Sequence, residues 1–172
     1  MSTLTYGIAK IEYAPIPNDG AVPTTGWLIF GNTKEGTGKL DMADGTKTEF
    51  RVEENAQAIK IVTTPGAITA SFEIADADID SMPTLFGGQV GSAGTPVVKT
   101  WNMPANPLNP ELALKITTLE GFIIVMPRGQ WAPKISGDLS RTGLLGIPVV
   151  VTALAPIKTD IGPLQLIKKS AA

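Results

Sequence analysis

The clearest pattern along the chain is Ile68-Thr69-Ala70-Ser71-Phe72-Glu73-Ile74, where Ile68, Ala70, Phe72 and Ile74 share one face and Thr69, Ser71 and Glu73 the other. A period of two predicts a strand with one buried and one wet face. The segment around Ala58 to Val62, joined through Thr64-Pro65-Gly66, is its expected hairpin partner. A second hairpin is predicted from Leu112, Leu114 and Ile116 on one face, the turn Glu120-Gly121, and the apolar return strand Phe122 to Met126. That return strand and Ile147 to Leu154 read as buried on both faces, which requires a second sheet, a helix or another subunit as cover. Leu4, Tyr6 and Ile8 alternate as an N-terminal strand, and Gly26 to Gly31 forms a short apolar one.

One helix fits the pattern, at about residues 77–87. Asp76, Asp78, Asp80 and Ser81 offer N-caps, while Ile79, Met82, Leu85 and Phe86 approximate a packed helical face and Gly87-Gly88 supplies a stop. Pro83 confines the helix to a short or late-starting one, because proline is tolerated only in the first turn. Residues 32–49 mix glycine with alternating charge and read as a long loop or hairpin arm; residues 157–172 form a C-terminal extension. The class expected is mainly β: an antiparallel β-sandwich or β-barrel with one short packed α-helix.

The 172 residues suit a single domain. Charged residues make up 17%, below the roughly 25% of ordinary soluble domains, so apolar contact surfaces are expected. The net charge of −2 does not suit a duplex-binding protein. Residues 1–90 hold six basic and twelve acidic side chains (−6), and residues 91–172 eight and four (+4), an asymmetry that favours head-to-tail contact between copies. The chain has neither Cys nor His, which removes thiolate nucleophiles, disulfides, histidine bases and His or Cys metal ligands. No apolar run approaches the roughly 20 residues of a membrane span, and the opening Met1 to Gly7 has no signal-peptide pattern.

The remaining motifs have plain readings. Gly31 to Thr37 lacks the lysine of a phosphate loop, and Gly87 to Gly91 lacks dinucleotide-loop spacing. Asp76-Ala77-Asp78-Ile79-Asp80 begins like a calcium loop but has Gly87 at the twelfth position, where a bidentate Glu belongs. Carboxylate pairs such as Glu53 with Glu54 or Glu73 with Asp76 would be needed for an acid-only hydrolase. Trp101 or Trp131 could serve as the platform of a monomeric carbohydrate-binding module.

The succession Ile11-Glu12-Tyr13-Ala14-Pro15, Gly26-Trp27-Leu28-Ile29-Phe30-Gly31-Asn32-Thr33, Phe72-Glu73-Ile74-Ala75-Asp76 and Leu85-Phe86-Gly87-Gly88 resembles the tail tube proteins of long-tailed bacteriophages, which are related to the tube proteins of contractile injection systems. The resemblance implies a structural, non-enzymatic subunit without cofactor or metal. It implies hexameric rings stacked into a hollow tube through which DNA passes, located in the virion tail and made in the host bacterial cytoplasm. Expected partners are copies of the same chain and other phage tail proteins, with DNA only in transit and no membrane. Within it, Lys34, Glu35, Lys39, Asp41, Asp44 and Lys47 are candidates for an arm that reaches the adjacent ring, and residues 157–172 for a second contact. An inner tube of a phage-like contractile injection or secretion system is the alternative, sharing the fold and differing in length control and cargo.

Overall fold

The computed structural model describes residues 5–76, 78–137 and 145–168. In chain order it contains β1 (Ile8–Pro15), β2 (Leu28–Ile29), β3 (Lys39–Met42), β4 (Thr46–Val52), β5 (Asn55–Thr64) and β6 (Ile68–Ile74). A 3-10 turn (Ile79–Ser81) runs into α1 (Met82–Phe86), followed by β7 (Val90–Ala93) and β8 (Val98–Trp101). The remainder is β9 (Glu111–Thr118), β10 (Phe122–Pro133), β11 (Ser136–Gly137), β12 (Leu145–Ala153) and β13 (Gln165–Lys168).

The main sheet has the order β2-β1-β9-β10-β12-β6-β3, with β13 alongside the first part of β10 and β11 against the start of β12. Every pairing in it is antiparallel. The two ends of the sheet curl towards each other until the Ile8 side chain lies against Gly38, yet no strand pairing joins β1 to β3 among the described residues. The fold is thus mainly β and antiparallel as expected, and the barrel is not closed. Its concave side holds the core, where Trp131 is fully buried among Tyr13, Phe30 and Phe72 at ring-centroid distances of 6.2, 6.3 and 5.9 Å. The buried indole N–H of Trp131 donates to the Leu112 carbonyl at 3.1 Å, so the large apolar ring carries no unmet polar atom.

The strand Ile68–Ile74 and the hairpin β9–β10 appear where the hydrophobic pattern puts them. Three expectations are corrected. First, β5 does not pair with β6; it pairs with β4, while β6 lies between β12 and β3. Gly66 explains the break: a Cβ there would sit 2.0 Å from the Ala43 carbonyl oxygen, so the chain crosses itself at a narrow neck instead of folding back as a tight hairpin. Second, the first strand begins at Ile8, with Tyr6 exposed, and Leu4 lies outside the described residues; of Gly26 to Gly31 only Leu28–Ile29 is strand. Third, β12 is buried on one face only, by Ile147, Val149 and Val151, and Val150 is 43% exposed on the other.

The helical segment is as short as Pro83 requires. Asp78 caps the 3-10 turn by accepting from the Asp80 N–H, and Gly87 ends α1 at φ +79, a conformation that favours glycine. Met82, Leu85 and Phe86 are buried against the core, whereas Ile79, read as a packing residue, is 39% exposed. Asp76 caps no helix: its carboxylate accepts from the backbone and side-chain amides of Asn32 and fastens the chain after β6 to the segment before β3. Ala77, the first residue of the expected helix, lies outside the described residues.

Candidate functional site

Two strands leave the body of the protein. In β4–β5 the register pairs Thr48 with Val62, Glu49 with Ile61 and Phe50 with Lys60, which puts Phe50 and Val62 on one face and Ile61, with Ile59, on the other. Every residue of β4 is exposed, and every residue of β5 except half-buried Ala58. Five large apolar side chains therefore meet water on this hairpin: Phe50 (51% exposed), Val52, Ile59 (60%), Ile61 and Val62. A two-stranded hairpin is marginal by itself in water, and apolar residues on both of its faces call for cover from outside the chain. The tip is acidic, with Glu53 and Glu54 between Val52 and Asn55.

The predicted arm residues do not travel together. Lys34 is tied to the sheet, its N–H donating to the Glu73 carbonyl at 2.8 Å and its Nζ 2.9 Å from Glu73 Oε1. Lys39 and Asp41 lie on β3 within the main sheet, 3.6 Å apart as an ion pair. Glu35 is exposed in the turn before β3, Asp44 is exposed at the neck, and Lys47 alone belongs to the hairpin. The projecting element is thus 46–64, and the front part of 32–49 is sheet edge. Phe50, Val52, Ile59 and Ile61 were the residues that sequence reasoning missed. The alternation Lys47-Thr48-Glu49-Phe50-Arg51 held the signal for strand, although nothing local showed that its apolar side faced solvent.

The C-terminal extension returns to its own subunit, since β13 pairs with Phe122–Val125. Leu166 and Ile167 on it stay exposed, and residues 169–172 lie outside the described residues.

The convex face of β10, β12, β6 and β3 is the other broad surface. Register places Gln130, Ala132, Pro148, Val150, Thr152, Thr69, Ser71, Glu73, Lys39 and Asp41 on this side, opposite the core. Thr69, Ser71 and Thr152 bring hydroxyls to it, Ala132, Pro148 and Val150 are apolar, and Glu73, Lys39 and Asp41 are charged. Among the described residues the charges that β3 and β6 direct here are paired, Lys39 with Asp41 and Glu73 with Lys34, and Arg128 of β10 is paired with Glu111 of β9. On the adjoining β1 and β9, Glu12 is 6% exposed and held by Lys10 at 3.1 Å and Lys115 at 2.8 Å, with Lys115 resting over the Trp27 ring at 4.4 Å. Burial pushes the Glu12 carboxyl up, but the hydrogen bonds and charges of Lys115 and Lys10 outweigh it and leave the group below the usual carboxylate range.

Trp101, Trp131 and the carboxylates Glu73 and Asp76, read as candidates for small-molecule chemistry, are engaged within the chain. Trp131 is in the core, and Trp101 packs on Phe86 with its indole N–H donating to the Gly87 carbonyl at 3.0 Å, so neither is an open stacking platform. Glu73 and Asp76 are each engaged, by Lys34 and Asn32. Among the described residues no group of three or more acids converges to hold a metal, and no helix is long and apolar enough to cross a membrane. No curated protein matches the chain. The family model of the phage tail tube proteins matches residues 9–169, from the first strand to the last, and the chain belongs to that family.

Proposed function

We propose that the protein is a non-enzymatic building block of the phage tail that assembles with its own copies into hexameric rings, and that the rings stack into a hollow tube through which DNA passes. The free-standing hairpin β4–β5, apolar on both faces, carries this reading: it is stable only when a neighbour covers it. It serves as the arm between subunits, with exposed Leu166 and Ile167 on β13 as a second contact. Among the described residues no strand pairs with the outer edge of β3, whose backbone groups a further strand could take up, another reason to expect assembly. A head-to-tail contact of this kind repeats without limit, as a tube needs.

The convex face of β10, β12, β6 and β3 suits the channel wall. A surface whose charges are neutralised in pairs neither traps phosphates as a basic lining does nor exposes large apolar area to them. Synthesis in the host bacterial cytoplasm and contact with other tail proteins follow from the same role.

The test is a variant in which residues 47–63 are replaced by a short glycine-containing turn, a cut confined to the hairpin. Circular dichroism is expected to show a folded protein, and sedimentation a subunit that forms neither rings nor tubes. Long tubes from this variant would overturn the proposal.

A further inference from the structure

The hairpin and the exposed apolar end of β11–β12 lie at opposite ends of one strand pair. Met42 and Ile68 form a cross-strand pair at the neck of the hairpin, and Thr69 faces Thr152 on β12. From there β6 and β12 run to the Ile74–Ile147 pair, about 17 Å away at about 3.3 Å per residue. Lys134 sits level with Pro148, just before that pair, its N–H donating to the Pro148 carbonyl at 2.9 Å, and beyond the pair lie the pairings of Ser136 with Gly146 and Gly137 with Leu145. Lys134 is exposed there, beside Ile135 at 42% and Leu145 at 51% exposure.

We infer that this end, centred on Lys134, Ile135 and Leu145, is the acceptor for the hairpin tip of a second copy. The inference rests on the tube reading above and names the surface that receives its arm. Chemistry matches on the two sides: Glu53 and Glu54 flanked by Phe50 and Val52 on the donor, a lysine flanked by Ile135 and Leu145 on the acceptor. The −6 and +4 charges of the two halves of the chain agree in sign, the donor belonging to the acidic half and the acceptor to the basic half. Polarity matches as well. A copy that docks its hairpin here leaves its own acceptor end free for the next copy, so the contact is heterologous and open-ended, where a contact between like surfaces would stop at a dimer.

Charge reversal tests it without touching the core, because Glu53, Glu54 and Lys134 are all exposed. In low salt the Glu53→Lys/Glu54→Lys variant and the Lys134→Glu variant are each expected to lose polymerised fraction by about tenfold or more, with unfolding temperatures unchanged. The triple variant is expected to recover it. A chain without cysteine also permits a direct check: Glu54→Cys protein mixed with Lys134→Cys protein under oxidising conditions should give a disulfide-linked pair. If wild-type tubes form while the reversals polymerise normally, or the triple variant shows no rescue, the acceptor is overturned and the tube reading stands. A wild-type chain that forms neither rings nor tubes overturns both.

Discussion

Glu12 shows how much one side chain contributes to the body of this protein. Its side chain is 8% exposed, and the two lysines that hold it, Lys10 and Lys115, come from its own strand and the neighbouring one. Removing the carboxylate leaves Lys115 beside Trp27 without its counter-charge, while the more exposed Lys10 turns back to water. Glu12→Ala is therefore expected to cost roughly 2–3 kcal/mol, measured by urea unfolding. The folded pKa of Glu12 lies below its unfolded value of about 4.3, so its contribution is complete above that pH and is lost as pH falls through the folded pKa. The wild-type unfolding temperature should consequently drop more steeply than that of Glu12→Gln below about pH 4.3; parallel curves would show that Glu12 is not linked to folding. Trp131 contributes by volume. Trp131→Ala empties the centre of the Tyr13, Phe30 and Phe72 cluster and is expected to cost roughly 3–5 kcal/mol, about 10 °C or more in unfolding temperature by calorimetry.

At the scale of elements, the hairpin β4–β5 is where the proposed assembly role can be separated from folding. Phe50→Ser and Ile61→Ser remove apolar side chains that are more than half exposed, so each is expected to leave the unfolding temperature within about 2 °C of wild type and to reduce sedimentable assembly. A large loss of stability from either would place the hairpin in the core after all. This hairpin is also where sequence reading fails. The strand β6 was legible because its apolar period agrees with burial, and β9–β10 because a Glu-Gly turn joins two apolar runs directly. The ends of α1 were legible from Pro83 and Gly87. The partner of β5 was not, because Ile59, Ile61 and Val62 carry the hydrophobicity of a core strand and face water. Local pattern records that a side chain seeks cover and omits whether the cover comes from the same chain. The same limit hid the split of residues 32–49 between sheet edge and projection, and the return of β13 to β10, which rests on only four register pairs far apart in sequence.

The whole molecule is a curled open sheet filled by one aromatic core, with an apolar hairpin at one end of the β6–β12 pair and a small basic and apolar surface at the other. Its core is filled from its own chain while apolar side chains at its ends meet water, as the proposed assembly requires. The chain belongs to the tail tube family, and the paired charges of the convex face agree with the channel role proposed for it. Electron microscopy of the purified wild-type chain in negative stain, over a range of concentrations, tests the central claim most directly. Rings of six subunits and hollow tubes built from them are the predicted result. A chain that remains monomeric at every concentration, with no ring or tube in any field, would contradict it.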